Sequence, residues 1–162
     1  MYKKRIIDKY LDSITKVFNA VNIIGPKGCG KTTTAKQRAK TVIEFQNEEA
    51  RDNLLLIAST SPIQFLKNPK PILFDEWQDA PKIWGTIRKN CDDNPKDVGS
   101  FYLTGSSSKK VETPHTGTLR ISTIRMNPMS LFESGYSNGT VSLKKLFDNP
   151  DSFKGCKSSM SI

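Results

Sequence analysis

Histidine occurs once in this 162-residue chain, tryptophan twice and cysteine three times. Cys29, Cys91 and Cys156 are odd in number and widely spaced. They supply neither a disulfide framework nor the paired ligands of a zinc site, which points to a reduced, intracellular protein with the cytoplasm as the default. The lone His115 reads as structural rather than catalytic. No apolar run approaches the roughly 20 residues of a membrane-spanning helix. The N-terminus Met1-Tyr2-Lys3-Lys4-Arg5 is basic, but Asp8, Lys9 and Asp12 stand where a signal peptide has its apolar core. Acidic residues are also few: 16 Asp and Glu face 25 Lys and Arg, a formal charge of +9. Such an excess suits a polyanion, either bound nucleotide or nucleic acid. The cations are spread along the chain, however, with small clusters at Lys3-Lys4-Arg5, Lys109-Lys110 and Lys144-Lys145. No nucleic-acid-binding signature accompanies them, so direct nucleic-acid contact is the lesser expectation.

One stretch organises what is present. Gly25-Pro26-Lys27-Gly28-Cys29-Gly30-Lys31-Thr32 fits G-x-x-x-x-G-K-[ST], the phosphate-binding loop, and Thr33 follows it. The apolar run Ala20-Val21-Asn22-Ile23-Ile24 before it predicts a strand, and Thr33 to Lys40 after it predicts a helix. Glycines let the backbone curl around a phosphate chain with its N–H groups turned inward, and the helix start adds partial positive charge. Lys31 would reach the β- and γ-phosphates, and the Thr32 hydroxyl would ligate Mg²⁺.

Ahead of the loop, Ile6, Ile7, Tyr10, Leu11, Ile14, Val17 and Phe18 recur at helical spacing and predict an amphipathic lead-in helix. Tyr2 and Arg5 are candidates for the adenine end of a nucleotide. Beyond it, Thr41 to Gln46 alternates as a strand does, Asn47 to Ala58 reads as helix, and Ile63 to Lys67 as a short helix behind Ser61-Pro62.

About 45 residues after the loop, Ile72-Leu73-Phe74 runs into Asp75-Glu76, as a buried parallel strand does when its acids emerge at the carboxyl end, where ligands of open α/β sheets bind. Asp75 would support the Mg²⁺ shell and Glu76 would polarise the attacking water. Trp77 and Trp84 read as packing residues, Pro81 opens a helix, and Asp92 to Lys96 reads as a loop. Phe101-Tyr102-Leu103 is a further strand ending in small polar groups. Thr104 is the first candidate and Ser106 the second for holding the attacking water. A fifth strand is predicted around Ile121 to Met126, with Arg120 and Arg125 as candidate neutralisers of phosphate charge, in the same or a neighbouring subunit. From Asn127 the pattern loosens, with one short helix predicted at Val141 to Phe147.

Taken together, the loop, Asp75-Glu76-Trp77-Gln78-Asp79-Ala80-Pro81, Leu103-Thr104-Gly105-Ser106 and Asn127-Pro128-Met129-Ser130-Leu131-Phe132-Glu133-Ser134 resemble a family of bacterial and archaeal AAA-like P-loop ATPases. The resemblance implies an α/β three-layer sandwich around a parallel five-stranded sheet of order 5-1-4-3-2, in the additional-catalytic-glutamate division. It implies ATP and Mg²⁺ as ligands, with Glu76, Lys31, Thr104 and Arg120 at the reaction and self-association through the ATPase face. It also implies a lead-in helix at 1–19, a core at 20–126 and, from 127, the start of a lid that the chain ends too early to complete. Two positions depart from the family pattern: Leu119 stands where glycine usually precedes the arginine, and Gly85 follows Trp84. Hydrolysis of ATP is the leading expectation. The alternatives are a non-catalytic nucleotide- or nucleic-acid-binding module and a small-molecule kinase.

Overall fold

The computed structural model describes residues 2–107 and 119–153. Their contacts divide into two units, one spanning Ile6–Pro128 and the other joining the residues up to Arg5 with those from Met129 onward.

In the larger unit the elements alternate: α1 (Ile7–Ile14), β1 (Ala20–Gly25), α2 (Lys31–Lys36), β2 (Thr41–Glu44), α3 (Arg51–Thr60), β3 (Ile72–Asp75), α4 (Lys82–Asp93), β4 (Phe101–Ser106) and β5 (Ile121–Arg125). Short 3₁₀ helices at Pro62–Lys67 and Trp77–Asp79 flank β3. The strands form one sheet in the order β2-β3-β4-β1-β5, every pair parallel. Read from its other edge, this is the 5-1-4-3-2 order that the resemblance implies.

Alternation along each strand sends side chains to opposite faces, and each face is covered. Val21, Ile23, Leu73, Tyr102, Ile124 and Met126 form one core with Leu11 and Ile14 of α1 and Ala35 of α2. Ala20, Ile72, Phe74, Phe101 and Leu103 form the other with Ala58 of α3 and Ile83, Trp84 and Ile87 of α4. Phe74 lies at the centre of an aromatic group, 6.4 Å from Phe45, 6.2 Å from Phe65 and 6.5 Å from Phe101 between ring centroids. Burial of each such ring contributes about 1.5–3 kcal/mol.

Several element boundaries differ from the sequence reading, among them these. The helix predicted at Thr33 already begins at Lys31, so the motif's Lys and Thr belong to its first turn. The helix predicted from Asn47 begins at Arg51, because the Asn47 side chain accepts the Glu49 N–H at 3.1 Å and Ala50 N–H bonds back to Asn47 O, forming a turn first. Asp92 and Asp93, predicted as loop, complete α4.

In the smaller unit, Ser130 and Glu133 cap α5 (Leu131–Ser134) reciprocally, each side chain bonding the other's backbone N–H. Arg5 Nε meets Glu133 Oε1 at 3.0 Å with both side chains buried, and Lys3 Nζ donates to Ser134 O at 2.8 Å. Arg5, a candidate for adenine contact, is engaged by that carboxylate. A second helix, α6 (Leu143–Asp148), starts at Ser142, whose hydroxyl accepts the Lys145 N–H.

Candidate nucleotide site

The site lies where β1, β3 and β4 end. β1 delivers Gly25 to the sheet edge, and the loop Pro26–Gly30 turns there into α2. Glycine is required at three points for two reasons. A Cβ on Gly25 would stand 2.2 Å from Met126 O, so only glycine lets the loop leave the strand beside β5. Gly28 and Gly30 hold φ of 79° and 97°, the left-handed region that side chains disfavour. Pro26, Lys27 and Gly28 are exposed at the tip, Cys29 is buried under it, and Thr33 is exposed on α2.

Lys31 is buried in the first turn of α2, and its ammonium donates to Gly25 O at 3.2 Å and Pro26 O at 3.0 Å. A buried ammonium needs partners. Here they are carbonyls of the loop itself, so the charge is held under the span that would wrap a phosphate chain.

Across from it, Thr32 Oγ1 donates to Asp75 Oδ1 at 2.6 Å, and Thr104 Oγ1 donates to the same oxygen at 2.5 Å. The register explains the meeting: Asp75 pairs with Thr104 along β3 and β4. The fully buried Thr104 hydroxyl also accepts the Glu76 N–H at 3.3 Å. Glu76 has φ 51° and ψ 46°, a left-handed conformation that costs about 1–2 kcal/mol for a residue with a side chain. Its half-buried carboxylate has no hydrogen-bond or ion partner among the described residues. Ser106 pairs with Gly25 in register, at the mouth of the loop.

Arg120 lies elsewhere. It precedes β5, at the edge of the sheet where Ile121 pairs with Ala20. Five residues of strand at roughly 3.3 Å each separate it from the edge that carries the loop. Its Nε donates to Asp92 Oδ1 of α4 at 2.6 Å. The structure therefore places Arg120 away from its own chain's phosphate loop, and the same-subunit role is set aside. Arg125, exposed and paired in register with Ile24, is at the loop's edge instead. Leu119 takes φ 67°, so the position where the resemblance expects glycine keeps a glycine-like backbone. His115 falls outside the described residues.

Sequence reasoning missed a buried polar chain beside the site. Trp77 Nε1 donates to Asn22 Oδ1 at 3.2 Å, and Asn22 Nδ2 reaches Thr123 Oγ1 at 3.4 Å. Trp77 also packs against Trp84, with centroids 4.8 Å apart and the rings tilted by 30°, so the packing role is real and incomplete. The signal was Asn22 itself, a polar residue inside an apolar strand, which needs a buried partner.

Thr32 and Asp75 offer hard oxygen donors within 2.6 Å of each other, the kind that Mg²⁺ takes. Among the described residues, no three His, Cys, Asp or Glu side chains gather into a metal cage. Mg²⁺ in nucleotide sites is held by few protein ligands and mainly by phosphates, and this donor set fits that pattern. No curated protein matches the chain. The family model described as AAA domain matches residues 17–134, a span containing the loop, the Asp75–Glu76 pair and the whole parallel sheet. The chain belongs to this AAA-like family of P-loop ATPases, whose domain is a nucleotide-binding one.

Proposed function

We propose that the chain binds ATP with Mg²⁺ and hydrolyses the β–γ phosphoanhydride bond. The observation that carries this reading is the divergence of two adjacent carboxylates. Asp75 is engaged by the Thr32 and Thr104 hydroxyls, whereas Glu76, turned by its left-handed backbone, keeps an unengaged carboxylate at the same strand end. One acid is thus suited to a metal shell and its neighbour to a water molecule.

Gly25, Lys27, Gly28, Cys29 and Gly30 would present backbone N–H groups to the phosphates, Pro26, which has no N–H, would shape the entry to the loop, Thr33 would close the cradle, and Lys31 would exchange its loop carbonyls for β- and γ-oxygens. Thr32 and Asp75 would hold Mg²⁺, which would offset negative charge on the phosphates. Glu76 accepts a proton as the water oxygen attacks the γ-phosphorus. The bond to the β-phosphate oxygen breaks, leaving ADP and phosphate. Thr104 acts through Asp75 and the Glu76 backbone, since its hydroxyl is used on both sides. Ser106 is the better placed of the two candidates to meet water directly. Arg120 would serve the phosphates of a neighbouring copy, which makes self-association part of the proposal.

Release of phosphate from ATP and Mg²⁺, with no acceptor added, tests the reading. Glu76→Gln is expected to lower turnover at least about 10²-fold while ATP binding persists. Turnover unchanged by that substitution would remove Glu76 from its role.

A further inference from the structure

The turn that carries Glu76 is fastened to the sheet at successive points. Its own N–H bonds Thr104 of β4. The next residue, Trp77, reaches Asn22 of β1, and the one after, Gln78, donates from Nε2 to Ser106 O at 3.1 Å, again on β4. Asp79 receives Gln46 Nε2 at 3.2 Å and lies 3.7 Å from the Arg51 guanidinium.

The geometry of the Trp77 link is specific. β4 lies between β3 and β1. An indole that leaves the end of β3 and bonds a side chain of β1 must therefore cross two strand spacings of about 4.8 Å each, over β4. It crosses at Gly105. A Cβ there would stand 2.7 Å from Gln78 Oε1 and 3.3 Å from Trp77 Nε1. Gly105 is thus the gap through which both side chains pass. An indole N–H only donates, so it fixes the Asn22 amide with its oxygen toward Trp77 and its nitrogen toward Thr123. Trp84 closes the other side of the ring. The Trp77 ring is part of the core that covers the sheet, but the two hydrogen bonds are not needed for that covering, which apolar side chains provide elsewhere in the same core.

We infer that Asn22, Trp77 and Gly105 are positioning residues for Glu76: they hold the turn whose left-handed residue aims the carboxylate. This rests on the proposed hydrolysis. Displacement of a general base by an ångström costs rate without costing ground-state affinity, since the base touches the water and not the bound nucleotide.

The test compares wild type, Glu76→Gln, Trp77→Phe, Asn22→Leu and Gly105→Ala by ATP turnover, by KM, and by thermal melting of the same preparations. Trp77→Phe keeps an aromatic ring in the core but removes the N–H together with the rest of the indole's five-membered ring, which is why melting is followed alongside turnover. It is expected to lower kcat about tenfold or more with KM changed less than about twofold, and the Trp77→Phe, Asn22→Leu double variant to be no slower than the worse single. Gly105→Ala approaches the same turn from the strand and should reproduce the kcat loss. If the clamp only stabilises the fold, the substitutions lower melting temperature and leave kcat per folded molecule at the wild-type value; that result overturns the inference. If wild type has no turnover, the proposed hydrolysis fails; if Glu76→Gln retains full turnover, Glu76 loses its role; in either case the positioning role falls with it. If Glu76→Gln is inactive while both Trp77→Phe and Gly105→Ala turn over as wild type, the positioning role alone is overturned.

Discussion

Asp75 and Glu76 are chemically near-identical neighbours with opposite surroundings, and the difference is made by two hydroxyls and one backbone angle. The residue types at this site were readable in advance because the chemistry restricts them: a loop that curls needs glycine, and a strand end that meets a metal ion needs an acid. What was not readable is pairing across strands. Thr104 reads as a water-holding residue from its place in the chain, yet the register sets it level with Asp75, which accepts its hydrogen bond. Cys91 shows how environment governs a single group. Burial, with Asp92 adding to it, pushes its thiol up to about 11. The folded state therefore keeps a proton that the unfolded chain releases nearer the ordinary thiol range. The stabilisation from this group is complete below that range and is lost as pH rises toward 11. Burial raises the Tyr102 phenol as well, and it adds a slope of the same sign above its own ordinary range. Urea unfolding from pH 8 to 11 should show falling stability for wild type, and Cys91→Ala should be less stable at pH 8 but lose less between pH 9 and 11. Equal slopes in the two proteins would contradict the assignment.

Strands were the most legible elements, because β1, β3 and β4 are buried on both faces and appear as short apolar runs that end in chemistry-bearing residues. Helix limits were less legible. None of α1 to α4 has a side-chain hydrogen bond at its N-cap, so no capping residue in the sequence announces where they start. Position along a parallel sheet then decides what an element can do. A residue that precedes β5 is at the wrong edge for its own phosphate loop, and Arg120 is held there by Asp92. Its proposed role is in a second copy. Arg120→Ala and Glu76→Gln proteins, each slow alone, are expected to regain part of the wild-type turnover when mixed, since a paired complex restores one complete site. Arg120→Ala turnover equal to wild type at every protein concentration, or no gain on mixing, would contradict that role.

For the whole molecule, the sheet order was legible only through the resemblance, since spacing alone does not say which strands are neighbours. The association of the N-terminal residues with the segment beyond Met129 was not legible at all: the Arg5–Glu133 pair spans 128 positions, and no local pattern encodes it. No described helix is long and apolar enough to cross a membrane. The formal charge of +9 favours anionic ligands generally, so affinity for ATP by itself says little about where it binds. Calorimetric titration of ATP separates the site from the surface. With Mg²⁺ present, wild type should bind one ATP per chain. Removal of Mg²⁺ or Asp75→Ala should each weaken binding, the effect of Mg²⁺ should vanish in Asp75→Ala, and Lys31→Ala should lose at least about tenfold in affinity. Equal affinity in wild type and Lys31→Ala, indifferent to Mg²⁺ and abolished by moderate salt, would place the nucleotide on the basic surface and contradict a triphosphate seated between the loop and Asp75.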